Sequence, residues 1–213
     1  MMELQLDSIA KKILTYLQTN SSNILSELSL SSPRSVGDAV QSEIAENAMP
    51  CALSDAGISV KDDFSRRSME DLAFSHNEKY YAIDVKTHNL GTDFNMPNLI
   101  SVKRLAQFYK NDDRNNFCIL IVSYKIENKS ISYKECYFKQ IEQFDWECLT
   151  LGALGWGQIQ IANANNLKFT NITRKNWMLE LCDNVDIFYN EEISKIGERK
   201  DWFSQIREYW KNK

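Results

Sequence analysis

The sequence predicts an α/β protein: a central mixed β-sheet of about five strands flanked by helices. Three observations predict it. Residues 4–17 repeat apolar side chains at helical spacing. Residues 69–89 read as two short β runs around a polar tip. Residues 117–124, FCILIVSY, form an almost unbroken apolar run, the pattern of a strand buried on both faces. Helical patterns precede and follow the strands, which places the chain in the α/β class with a mixed sheet. A length of 213 residues suits one domain spanning 1–213.

Leu6, Ile9, Ile13, Leu14 and Leu17 carry the apolar side of the first helix, with Asp7 and Ser8 near its start. Residues 31–37 signal a loop, and a helix is expected at 38–49. Glu43 and Glu46 sit three apart on it and would share a face. A short strand is expected at 56–60. The charged stretch 61–67 reads as a loop, where Arg66 and Arg67 are either a surface pair or phosphate contacts. After the hairpin, 89–96 reads as a loop and Pro97 suits the first position of a helix over 98–110. That helix would set Leu99, Val102, Leu105, Ala106 and Tyr109 against the core. Lys103, Arg104, Gln107 and Lys110 would face outward. Strands at 117–124 and 131–138 follow, then a neutral strand at 158–162. Thr173 is placed to cap a helix running to about residue 189. A last helix covers 202–210, with Lys211 and Lys213 at its negative dipole end.

The hairpin organises the rest. Its sequence is MEDLAFSHNEKYYAIDVKTHN, and a two-residue turn at Asn77 and Glu78 would join the two runs. Paired residues then sum to 155, so Asp71 falls opposite Asp84, with Cβ atoms roughly 5 Å apart. Along the second run Tyr81, Ile83 and Val85 share one face, and Asp84 and Lys86 share the other. Two facing carboxylates repel, and a divalent cation resolves the repulsion, since hard cations take carboxylate oxygens. Lys86 would stand beside that cation and near any phosphate it binds. Asp71, Asp84 and the Val85 carbonyl form the expected Mg²⁺ ligand set. The alternative reading is an ordinary hairpin with Asp84 and Lys86 as solvated alternates.

The Asp71…Asp84-Val85-Lys86 pattern resembles the PD-(D/E)xK motif of type II restriction endonucleases. The residues Thr87-His88-Asn89, Met96-Pro97-Asn98-Leu99-Ile100-Ser101 and Leu105-Ala106-Gln107 narrow the likeness to the blunt-end cutters of the HincII and EcoRV type. A weaker likeness returns at Gln158-Ile159-Gln160 and at Thr173-Arg174 with Trp177. One departure is plain: Glu70, not proline, precedes Asp71. The resemblance implies Mg²⁺-dependent hydrolysis of double-stranded DNA at a short palindrome, with blunt ends. It also implies Asp71, Asp84 and Lys86 as catalytic residues and a glutamate on the preceding helix near the metal, assigned to Glu43. A palindrome is best matched by a twofold homodimer. A cognate DNA methyltransferase would belong to the same system without being bound.

Composition bounds this reading. A net charge of −4 argues against a non-specific nucleic-acid binder, but not against a site-specific one. No apolar run is long enough to span a membrane, and the N-terminus lacks a signal-peptide core, so a cytoplasmic protein is expected. The five cysteines, Cys51, Cys118, Cys136, Cys148 and Cys182, include no CxxC and are expected to be buried free thiols.

Between Cys148 and Leu179 there is no aspartate or glutamate, and amides are frequent. Such a surface suits a polyanion with readable base edges, because Asn and Gln can pair bidentately with adenine. The expected DNA-binding residues are Gln158, Gln160, Asn163 and Arg174 here, Lys103 on the preceding helix, and Phe94, Asn95 and Asn98 in the 92–98 segment. Phe94 would either wedge between base steps or pack under its loop. Two other functions stay open at this point: a different nuclease of the same superfamily, nicking mismatches or resolving junctions, and a DNA-binding protein that does not cut.

Overall fold

The computed structural model describes residues 4–20, 33–65, 68–91, 97–127, 130–162 and 166–213. The turn at Asn77 and Glu78 sets the sheet. Both residues have positive φ, 49° and 61°, the conformation of a type I′ hairpin turn. It joins β1 (Leu72–His76) to β2 (Lys79–Asn89), and His76 pairs with Lys79 through to Leu72 with Ile83, the register expected from the turn. β2 runs parallel to β4 (Asn115–Glu127), and β4 pairs antiparallel with β5 (Ser130–Gln140), giving the order β1-β2-β4-β5. The sheet is therefore mixed, and helices cover it, as expected for an α/β chain.

Each face of this sheet has its own core. On one, Tyr81, Ile83 and Val85 of β2 and Cys118, Leu120 and Val122 of β4 pack with helices. Those helices are α1 (Leu6–Asn20), which buries Ile9, Ile13 and Leu17, and α2 (Pro33–Glu43). α2 passes through a π turn at Ile44–Ala48 into α3 (Met49–Ser54). Pro50 accounts for the π turn, because it lacks an N–H and its ring crowds the carbonyl four residues back. On the other face, Ala82, Phe117, Ile119 and Ile121 pack with α4 (Val102–Asn111), α5 (Arg174–Lys211) and a second sheet.

That second sheet corrects the expected five-stranded arrangement. Among the described residues the central sheet has four strands, and β3 (Asn98–Ser101), β7 (Gln158–Ile161) and β6 (Leu149–Gly152) form a separate three-stranded antiparallel sheet. The helix expected over 98–110 begins only at Val102, because Asn98–Ser101 pairs with β7 and Ser101 becomes the N-cap, its Oγ accepting from Arg104 N at 3.4 Å. Residues 56–60, expected as a strand, form none, and a single bridge to Ala73 falls one residue later at Lys61, in the stretch expected as a loop. The loop expected at 31–37 opens α2 from Pro33 onward. The two helices expected after Thr173 are one helix of 38 residues. The thiols are free, but only Cys118 and Cys148 are buried, while Cys51 and Cys182 are exposed. No helix among the described residues is long and apolar enough to cross a membrane.

Candidate active site

The end of the β1–β2 ladder gathers the three residues that the hairpin pattern singles out. The ladder stops at Leu72 and Ile83, and Asp71 lies one residue beyond it, with its N–H on Ile83 O at 2.8 Å. From there Asp71 Oδ2 accepts from Val85 N at 2.8 Å. A residue's N–H and C=O point to the same side of a strand, so the Val85 carbonyl faces the same uncovered edge. Asp84 is 6% exposed, because the second core closes over its side of β2. Lys86, two residues on and on the same face, donates to Asp84 Oδ1 at 2.6 Å. Asp84 Oδ2 has no hydrogen-bond partner.

The electrostatics follow from that burial. Loss of water pushes the Asp84 carboxyl up to about 7, against the pull of Lys86, and the charge on Asp71 pushes it further the same way. A buried carboxylate with an orphaned oxygen is costly unless a further cation or donor completes it. Among the described residues no three His, Cys, Asp or Glu side chains converge on one point. Two carboxylates and a strand-edge carbonyl fit a small hard cation that keeps most of its waters, which is how Mg²⁺ is held.

Glu70, standing where the motif has proline, ties the approach to Asp71. Its carboxylate takes Met69 N at 3.0 Å and the Tyr80 hydroxyl at 3.1 Å. Burial and this glutamate push the Tyr80 hydroxyl up to about 12, so it remains a donor.

A cleft of about 410 Å³ opens beside Asp71 and Val85, and Gln41, Ser42, Glu46 and Asp62 line its other walls. Glu43 is not among the lining residues. Its carboxylate accepts from Asn47 Nδ2 at 3.1 Å and lies beside the Tyr16 hydroxyl of α1. The wider π turn rotates residues three apart further from each other than an α-helix does, so Glu43 and Glu46 part company. Of these two helix glutamates it is Glu46 that lines the Asp71 cleft, together with Glu70 from the approach to β1. A larger cleft of about 570 Å³ lies between α1, α3 and the Asn77 turn, but its Lys12 and Asp55 pair with each other at 2.6 Å.

The amide-rich segment divides into two groups. In β7, Ile159 and Ile161 point into the core, and Gln158 and Gln160 lie on the outer face of the second sheet. Gln160 Nε2 donates to Asn98 Oδ1 at 2.6 Å across the β3–β7 pair. Gly152 makes room for it, since a Cβ there would stand 2.6 Å from Gln160 Oε1. Gln158, with its amide oxygen turned to β3, accepts from Ile100 N at 3.2 Å and Ser101 N at 3.3 Å. Lys103 is exposed and sits 4.3 Å from the ring of the exposed Trp156.

Arg174 does something else than expected. Its Nε donates to Glu142 at 2.6 Å, and its two terminal nitrogens donate to Asp113 O at 2.9 Å and Asn116 Oδ1 at 2.8 Å. The guanidinium also stacks on Tyr109, 4.3 Å away. Three of its five N–H donors are thus committed inside the protein, and Arg174 serves the α5–sheet junction. Phe94, Asn95 and Asn163 lie outside the described residues, as do Arg66 and Arg67.

No protein-family profile matches the chain, and no curated protein matches it either. Among solved structures, the chain is similar to the NlaIV restriction endonuclease, with a TM-score of 0.47 and 14% identity over 75% of this chain and 68% of that one. The functional reading therefore rests on the geometry of the site itself.

Proposed function

We propose that this protein is a type II restriction endonuclease that hydrolyses double-stranded DNA at a short palindrome, depends on Mg²⁺ and leaves blunt ends. The observation that carries the reading is Asp84: buried, paired on one oxygen with Lys86, orphaned on the other, and next to Asp71 at an open strand edge. Asp84 Oδ2, Asp71 and the Val85 carbonyl would hold the ion. Bound there, Mg²⁺ supplies Lewis-acid polarisation of the phosphate and a water of lowered pKa.

The chain's own residues do the rest. Asp84 holds the Lys86 ammonium at 2.6 Å, so the cation of the side chain is fixed at the rim of the site. From there Lys86 orients the attacking water and offsets charge on the phosphorane. Glu46, which lines the same cleft as Asp71, would hold a water by hydrogen bond. The outer face of the second sheet presents Asn98, Gln158 and Gln160 as amides suited to base edges. A twofold homodimer would match a palindrome, and a methyltransferase of the same system would protect the host's sites.

The test pairs Lys86→Ala with the wild type in Mg²⁺. The reading expects the variant to bind duplex DNA in a metal-dependent way and to cut at least about 10³-fold more slowly, the loss of a charged transition-state contact. Cutting at near wild-type rate would show that the assigned site is wrong.

A further inference from the structure

α4 and α5 run antiparallel over the second core. Arg174, at the start of α5, lies on Tyr109 near the end of α4, while Phe188 and Val102 both stand against Gly157. Between the two helices a slot of about 390 Å³ remains open. Val102, Ala106, Met178, Leu181 and Val185 give it an apolar floor. Its α4 wall, from Val102 to Lys110, rises about 12 Å. Sites for one small molecule begin at about 300 Å³, so the slot has room for one.

Trp156 stands at the Lys103 end of the slot. Its indole is 60% exposed, yet its backbone is held from three sides. Tyr189 donates its hydroxyl to Trp156 O at 2.7 Å, Gly157 N donates to Leu154 O at 3.1 Å, and Val102 N donates to Gly157 O at 3.1 Å. Glycine is required beside it, because φ is 94° there and a Cβ would stand 3.4 Å from Phe188. An aromatic fixed in place and left in water is a pre-organised contact, since folding has already ordered it.

The charge of the slot is one-sided. Lys103 and Lys110 stand two turns apart on its α4 rim, and no aspartate or glutamate lines it. Among the described residues neither ammonium has a carboxylate within ion-pair distance. Lys103 instead sits 4.3 Å from the centre of the Trp156 ring. The other polar groups are the Cys182 thiol and the Gln107 amide, whose Nε2 already donates to Asn111 Oδ1 at 2.5 Å.

We propose that this slot binds a small aromatic anion: a flat apolar ring system that lies against Trp156 and carries an acidic group to Lys103 or Lys110. Stacking on the indole favours the ring, and two unpaired ammonium groups beside an apolar floor favour the charge. A nucleobase fits less well. Its edges are crowded with donors and acceptors, and the apolar floor would bury them unmatched. The slot includes none of Asp71, Asp84 and Lys86, so this inference holds or fails independently of the nuclease reading.

The probe is 1-anilinonaphthalene-8-sulfonate, two aromatic ring systems with one sulfonate, titrated into the full chain in EDTA. Its fluorescence rise and energy transfer from tryptophan report binding. The wild type is expected to show one saturable site with a dissociation constant of about 10–100 μM. Trp156→Ala should weaken it at least about tenfold, and so should Lys103→Glu combined with Lys110→Glu. Ala106→Trp, which fills the slot from an exposed position, should abolish it. Neutral N-phenyl-1-naphthylamine, the same rings without the sulfonate, should bind at least about tenfold more weakly. An unchanged thermal melt shows that each variant is folded. A wild type without a saturable site overturns the proposal, as does binding that survives Ala106→Trp or Trp156→Ala. Equal affinity for the neutral analogue overturns it too, since charge would then play no part. Displacement of the probe by random duplex DNA would assign the indole and both lysines to DNA contact and overturn it as well. A wild type that binds the probe but cuts no DNA would leave this inference standing and bring down the nuclease reading alone.

Discussion

Asp84→Asn is expected to stabilise the metal-free protein at alkaline pH while abolishing cleavage. The amide keeps the size and shape of the side chain but removes a charge that burial opposes. Burial pushes the Asp84 carboxyl up to about 7, whereas an aspartate in an unfolded chain titrates near 3.9. Between those values the folded state holds a proton that the unfolded chain has lost. The stability contributed by protonated Asp84 is therefore full below about pH 4 and is lost as pH rises through about 7. A difference of about three pKa units corresponds to about 4 kcal/mol at most. The Asn variant forfeits the Lys86 ion pair and leaves an amide hydrogen unsatisfied, so a net gain of about 1–3 kcal/mol at pH 8 is expected. Urea denaturation in EDTA at pH 4, 6 and 8 measures it. The two proteins should agree near pH 4, diverge progressively between about pH 4 and 7, and differ by a constant amount above that, with the variant ahead. Adding Mg²⁺ at pH 8 should stabilise the wild type and leave the variant unmoved, because only a bound ligand shifts the folding equilibrium. A variant less stable than wild type at pH 8, or a difference that ignores pH, would refute the buried-carboxylate argument.

Three further outcomes follow from the same geometry. Arg174→Ala should cost about 3–5 kcal/mol in thermal or urea unfolding, since it strands buried Glu142, and the salt slope of DNA binding should not change. Gln160→Ala should cost less than about 1.5 kcal/mol of stability, as a half-exposed hydrogen bond does, yet relax the sequence preference of cutting on a panel of single-base site variants. Glu46→Gln should slow cleavage by more than about tenfold, and Glu43→Gln should leave the rate within about threefold of wild type; single-turnover kinetics at saturating Mg²⁺ compares them.

The hairpin was legible residue by residue because turn chemistry and alternation fix register together: a slip of one would put Tyr81, Ile83 and Val85 in the wrong core. The burial of Asp84 was not legible, because the second sheet that covers it comes from residues far along the chain. Local signals also misled. Pro97 reads as a helix start, but pairing with β7 takes the next four residues, and the true cap is Ser101. Glu192, Lys195 and Arg199 interrupt the apolar stripe of α5, so one helix read as two. Arg174 stood out as a cation in an acid-free window, while its partner Glu142 lies 32 residues away. The π turn at Ile44–Ala48, which exchanges Glu43 for Glu46 at the cleft, follows from a single proline inside an otherwise ordinary helical pattern.

The most direct measurement is digestion of phage DNA by the purified protein in Mg²⁺ and in EDTA, with the cut ends mapped by run-off sequencing. The account predicts discrete fragments in Mg²⁺ only, each end flush and lying within one short palindrome. Uniform degradation, cutting confined to branched or mismatched duplexes, or intact DNA at every Mg²⁺ concentration would contradict it.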